Sequence, residues 1–261
     1  MKFAKEIFGK PKSGRWCYDA DIFEQKVKEL LQKVSEPVNV PLFDNRDEAC
    51  RTFVVTVRYE VMNAPAVLLK SYSTDGTEVQ CSLVQAARAT TAAPTFFEPA
   101  AIGLNKYVDG GVRFNNPAEQ AILEASRIWG SRPIGCLVSL GTGKGLPISG
   151  ASRRGILGIF APYRAEQLTV AKYCTELATS CEPVHHRLVE GNRLPKGRFK
   201  DRYYRFNVEN GATEIGLNEW EKLSVLSERT EAYLDEPSEK PRLENCAKLL
   251  ISEEDLIKNI G

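Results

Sequence analysis

Histidine is nearly missing from this chain: 261 residues contain two, His185 and His186, and they are adjacent. That scarcity limits imidazole chemistry, because a Ser-His-Asp triad would have to recruit one of this pair. Neighbouring histidines read first as surface or helix-end residues. Paired cysteines are missing too. Cys17, Cys50, Cys81, Cys136, Cys174, Cys181 and Cys246 are scattered, odd in number and free of any Cys-x-x-Cys spacing. This argues against a zinc cluster and a disulfide framework, and points to reduced thiols in the cytoplasm. No apolar run approaches the roughly 18 residues of a membrane-spanning helix. Met1 to Trp16 alternates basic and apolar residues without the hydrophobic region of a signal peptide. Charge of one sign is also lacking. The net charge of +1 argues against a strongly electrostatic partner such as duplex nucleic acid.

What is present suits a folded domain. Hydrophobic residues make up 43% and charged residues 26%, enough apolar surface to close a core. Asp19 to Val34 reads as an amphipathic helix, with Ile22, Phe23, Val27, Leu30, Leu31 and Val34 as its stripe and Asp21 and Glu24 as its cap signal. Phe53 to Val57 and Ala66 to Tyr72 have strand length and composition. Ser82 to Thr91 is a short helix of small residues carrying Arg88, either a functional cation or an ordinary ion-paired helix residue. Ile134 to Leu140 is an apolar strand ending in Gly141-Thr142-Gly143. That glycine loop matches neither the Walker nor the Gly-x-Gly-x-x-Gly spacing. Pro147 to Gly158 reads as a loop bearing Arg153 and Arg154, Tyr163 to Ser180 as a helix, and Arg202 to Val208 as a strand.

The stretch with the most chemistry runs from Lys106 to Pro117. Tyr107-Val108 is a short strand leading into Asp109, and Gly110-Gly111 permits a tight turn. Asn116, Pro117 and Glu119 then signal a helix start, continuing to Trp129. Asp109 therefore stands at the carboxyl end of a strand, where open α/β sheets gather ligands. An aspartate there can take a proton from a nucleophile, bind a metal, or simply stiffen the turn through the glycine amides.

The order of motifs resembles the patatin-like phospholipase family. It runs Ala86-Ala87-Arg88-Ala89-Thr90-Thr91-Ala92-Ala93-Pro94-Thr95-Phe96-Phe97, then Asp109-Gly110-Gly111, Asn115-Asn116-Pro117, and Ser139-Leu140-Gly141-Thr142-Gly143. The resemblance extends from about Phe3 to Tyr233 and looks closest to the fungal patatin-like proteins. It implies a three-layer α/β/α sandwich with a mixed sheet built from the four strand segments 53–57, 66–72, 107–108 and 134–140. It also implies a partial patatin-like domain over residues 1–235, followed by a charged helical tail over 236–261.

The resemblance further implies a Ser-Asp dyad, with Asp109 as its acid half and Gly110 and Gly111 as its motif glycines. Thr95, Phe96 and Phe97 would border an acyl-chain pocket, although an aromatic pair beside a proline also reads as plain core. The family's serine stands in a Gly-x-Ser-x-Gly elbow, preceded by a glycine-rich oxyanion loop. Neither occurs here: Gly150-Ala151-Ser152-Arg153-Arg154-Gly155 is one residue too long. The chain thus resembles the carboxyl-terminal part of a patatin domain, apparently N-terminally incomplete. Two expectations stay open. One is the aspartate half of a lipid acyl hydrolase, inactive alone, needing no metal or cofactor and completed by a missing N-terminal half or partner chain. The other is a non-catalytic lipid-binding or interaction module. On either, the partner is lipid and membrane contact is peripheral.

Overall fold

The computed structural model describes residues 2–8, 16–143, 181–190, 201–208, 215 and 219–258. The expected loop 147–158 with Arg153 and Arg154, the expected helix 163–180 and Cys174 lie outside these residues. The chain divides into two compact units, Met1–Pro117 and Ala118–Gly261.

The first unit is built on a four-stranded antiparallel sheet. Its strands are β1 (Phe53–Arg58), β2 (Val67–Lys70), β3 (Ala100–Ile102) and β4 (Asn105–Asp109), in the order β2-β1-β4-β3. β1 pairs Phe53 with Lys70 on one side and Thr56 with Asp109 on the other. β3 and β4 form a hairpin around Gly103-Leu104, and Gly103 has φ +60°, which glycine adopts without a Cβ penalty. Helix α1 covers Lys2–Phe8, α2 Ala20–Lys33 and α3 Leu83–Thr90.

Two of these helices begin at identifiable caps. Asp19 caps α2 by accepting the Asp21 N–H at 2.9 Å. The sequence suggested Asp21 for this role, but the extended backbone of Asp19 is what aims a side chain back at the first turn. Ser82 and Gln85 close a reciprocal capping box on α3.

The small residues of α3 let it lie close on the sheet. Ala86 and Ala89 pack with Leu69, Ala100, Ile102 and Tyr107. Its other side, through Val84, packs on Val27 and Leu31 of α2. Within this unit the layers therefore run sheet, α3, α2.

The second unit holds a two-stranded parallel sheet, β5 (Leu137–Leu140) with β6 (Tyr203–Phe206). The sequence placed 134–140 in one mixed sheet with the earlier strands. Among the described residues it hydrogen-bonds to β6 instead. Leu137 to Leu140 pairs with Tyr203 to Phe206 residue for residue. Helix α4 (Ala118–Trp129) packs Ala118 and Ile122 on Leu188 of α5 (Glu182–Glu190). Arg187 donates to both oxygens of Glu119 at 2.8 and 2.9 Å. Helix α6 spans Leu223–Leu234, and α7 spans Lys240–Lys258 in the expected charged tail. α7 buries Cys246 against Phe206 and Tyr233. No described helix is long and apolar enough to cross a membrane.

Candidate functional site

Asp109 is the last residue of β4, and three elements converge on it. Its backbone N–H donates to the Ala92 carbonyl at 3.1 Å, fastening the strand end to the turn that follows α3. Across the sheet, Thr56 is its register partner and is fully buried. Thr90, at the end of α3, donates its hydroxyl to the Val55 carbonyl at 2.9 Å. That carbonyl presses on the next residue: a Cβ built on Gly110 would lie 2.5 Å from the Val55 oxygen. No side chain fits there, so Gly110 is a steric requirement of the turn, although neither Gly110 nor Gly111 has a positive φ.

The Asp109 carboxyl is partly buried, and its two oxygens differ. Oδ1 accepts the Gly111 N–H at 2.6 Å. Burial pushes the carboxyl above the ordinary aspartate range, and the Gly111 bond pulls it back in part. The sign of the resulting linkage is fixed. A folded pKa above the unfolded one favours folding in acid, and this contribution fades as pH rises through the folded pKa. Asp109→Asn keeps an acceptor for Gly111 without the buried charge. It should unfold at higher urea than the parent at neutral pH, and the gap should close below about pH 4. Equal midpoints at neutral pH would show that the buried charge carries no penalty.

The turn from Ala92 to Phe97 is held from several directions. Cys17 and Tyr18 donate backbone N–H groups to the Thr95 and Phe96 carbonyls, both at 2.9 Å. Arg88 is 4% exposed, donates through Nη2 to the Glu98 carbonyl and lies 5.5 Å over the Phe97 ring. Its Nη1 has no hydrogen-bond partner among the described residues. Arg88 is thus neither a solvated helix residue nor ion-paired among the described residues, but a buried cation that braces this turn. Asp21, Glu24 and Glu98 supply a compensating field against its desolvation.

The three pocket candidates part company here. Phe97 is 4% exposed and packs with Ile7, Tyr18 and Ala20, its ring 5.7 Å from that of Phe23. It is core in this unit. Phe96 is half-buried beside Tyr18, at 5.7 Å between ring centroids. Thr95 is exposed and sits at φ +72°, an uncommon conformation for a β-branched residue. Such strain persists only where the surroundings enforce it, and the Cys17 and Tyr18 bonds do so here. Thr95→Gly should therefore stabilise the fold by about 1 kcal/mol, read as a higher urea midpoint. A lower midpoint would mean that the threonine side chain makes a contact outweighing its strain.

The sequence missed the clamp by Cys17 and Tyr18 and the brace by Arg88. The Trp16-Cys17-Tyr18 segment is marked by no periodicity; it holds the turn through the Cys17 and Tyr18 amides and through the buried Tyr18 ring.

Comparison with known proteins bears on this segment. Residues 3–122 match the family model described as patatin-like phospholipase. This segment is of the patatin-like phospholipase family. It is 32% identical to calcium-independent phospholipase A2-gamma of Rattus norvegicus over 194 residues, covering 70% of this chain and 21% of that protein. The Homo sapiens protein of the same name is 31% identical over 194 residues, with the same coverage. Phospholipase A I of Arabidopsis thaliana is 41% identical over 59 residues, 23% of this chain and 4% of that protein. The chain spans about a fifth of the length of the phospholipase A2-gamma relatives it matches. The family match contains the whole Asp109 site, the clamp, α3 and the four-stranded sheet.

Proposed function

We propose that this chain is the aspartate-bearing part of a serine-dependent lipid acyl hydrolase, in which Asp109 is the general base of a Ser-Asp dyad. The serine would lie on a Gly-x-Ser-x-Gly segment of the parent protein, since none occurs in these 261 residues. The observation that carries this reading is the asymmetry of Asp109. Gly111 fixes Oδ1, burial raises the carboxyl's proton affinity, and Oδ2 accepts no hydrogen bond among the described residues. A base whose pKa is raised toward the working pH is better matched to taking a hydroxyl proton.

In the reaction, Asp109 Oδ2 would accept the serine proton as the serine oxygen attacks the ester carbonyl of a phospholipid or glyceride. The proton then passes to the leaving alcohol, and the acyl group stays on the serine. Water attacks this acyl-enzyme in turn, giving up its proton to Asp109, which returns it to the serine as the fatty acid departs. The dyad needs neither metal nor histidine. Thr95 and the half-buried face of Phe96, on the turn fastened to Asp109, are the positions proposed to meet the acyl chain.

A second reading, a lipid-binding module without turnover, is favoured by one observation. Ser139, a nucleophile candidate inside this chain, is 7% exposed and accepts a hydrogen bond from Arg205 at 3.0 Å. Turnover of a short-chain activated ester separates the readings. It should be absent from this chain alone and appear, Asp109-dependent, when the upstream segment is joined to it.

A further inference from the structure

The edge of the first sheet that carries the β3–β4 turn has an unusual surface. Leu104, at the tip of the hairpin, is as exposed as an isolated residue, at 103% of its reference area. It has no packing role, and a polar residue would serve the turn better. The antiparallel register that pairs Arg58 with Tyr107 brings the turn Tyr59–Val61 to the same edge, where it packs against β4. That turn and the residue after it add two more apolar side chains, Val61 at 50% and Met62 at 38% exposed. Around them stand exposed Arg58 and Lys106, with Glu60 as the opposing carboxylate. The collar is thus two cations against one anion.

We propose that this edge docks on an anionic lipid surface, with Leu104, Val61 and Met62 entering the acyl boundary and Arg58 and Lys106 meeting the headgroups. The choice of a bilayer over a protein groove rests on the lipid-ester reading above and on two features of the edge itself. A protruding single leucine on a tight turn has the form of a wedge, whereas protein interfaces present wider, flatter apolar cores. A positive collar around an apolar tip also complements a negatively charged leaflet. The attachment would be shallow and reversible, as expected for a few apolar side chains and two cations.

The test is flotation of the whole chain with phosphatidylcholine vesicles, with and without about 30% phosphatidylserine. The chain should float with the anionic vesicles, and less so at high salt. Leu104→Ser should weaken binding about tenfold, since the leucine's transfer out of water is lost. Lys106→Glu should weaken binding to anionic vesicles while leaving binding to neutral ones unchanged. Leu104→Trp should bind at least as well, and bromine-labelled acyl chains should quench its fluorescence beyond the quenching of the parent's own tryptophans.

Leu104 touches nothing that holds the fold together, so the variants should share the parent's melting curve. Failure of the parent to float, or equal flotation of parent, Leu104→Ser and Lys106→Glu, overturns the proposal. A protein-binding edge would show itself as the absence of vesicle binding. None of these variants alters Asp109. Loss of vesicle binding therefore leaves the dyad reading intact, and an inactive extended chain that still floats leaves the docking edge intact.

Discussion

Joined to an upstream segment bearing the serine elbow, this chain should hydrolyse an activated short-chain ester, and Asp109→Asn should remove most of that turnover. The expected loss is on the order of 10²–10⁴ in kcat, the range typical of a positioned general base. The substituted amide keeps the Gly111 hydrogen bond at Oδ1, so the loop should hold its shape. What it removes is a group able to take a proton at Oδ2. The decisive set is four proteins: the short and extended chains, each with Asp109 intact and with the Asp109→Asn substitution. Both short chains should be inactive, because no Gly-x-Ser-x-Gly elbow occurs in these 261 residues to supply the serine proposed above.

The pH profile adds a check that a purely structural role would not satisfy. With its proton affinity raised by burial, Asp109 should give kcat/KM an acid limb above the ordinary aspartate range. Activity would rise with pH through that limb as the carboxylate forms. Asp109-dependent turnover by the short chain would refute this division of labour and require a serine such as Ser139 or Ser152 to act.

Much of this site was legible in the sequence because its signals are local. The Tyr107-Val108 strand, the Gly-Gly turn and the Ala-Ala-Pro-Thr-Phe-Phe turn are each set by residues within a few positions of one another. The structure extends that strand to Asn105–Asp109 and keeps Asp109 at its end. What stayed hidden depends on partners far apart in the chain. Nothing near Thr95 says that the Cys17 and Tyr18 amides will fasten its turn. Nothing near Phe97 says that Ile7 and Tyr18 will bury it, since the aromatic pair alone suits a pocket as well as a core.

The same distinction explains the sheets. Phe53 to Val57 and Ala66 to Tyr72 are mainly β-branched or apolar runs, so both strands were visible, and the structure sets them as the antiparallel pair Phe53–Arg58 and Val67–Lys70. Ala100 to Ile102 escaped notice because three small or apolar residues give no period of their own. It becomes a strand only by closing a hairpin on β4. The pairing of Leu137–Leu140 with Tyr203–Phe206 joins residues more than sixty positions apart, a distance over which neither segment carries information about the other.

Gly110→Ala should be the most damaging small substitution in the first unit. The added methyl would meet Val55 backbone oxygen at 2.5 Å, carbonyl carbon at 2.8 Å and Cβ at 2.9 Å. A flexible side chain could swing aside, but these atoms belong to the central strand β1. That strand is pinned by β2 on one side and β4 on the other, and Thr90 holds the very carbonyl in question. Relief would require β4 to separate from β1 or the Asp109 turn to open. The expected loss is roughly 2–4 kcal/mol, as for overpacking that must move backbone.

Gly76→Ala provides the control. Gly76 has φ +75° and nothing within 4 Å of its built Cβ, so substitution there introduces backbone strain without a clash. It should lose only about 1 kcal/mol. Urea denaturation should place Gly110→Ala well below Gly76→Ala, with the parent highest. If the two variants unfolded together, the approach of Val55 to Gly110 would not be a constraint on this fold. In the extended chain, Gly110→Ala should also lower turnover while the protein remains folded, because the displaced turn carries Asp109 away from the serine.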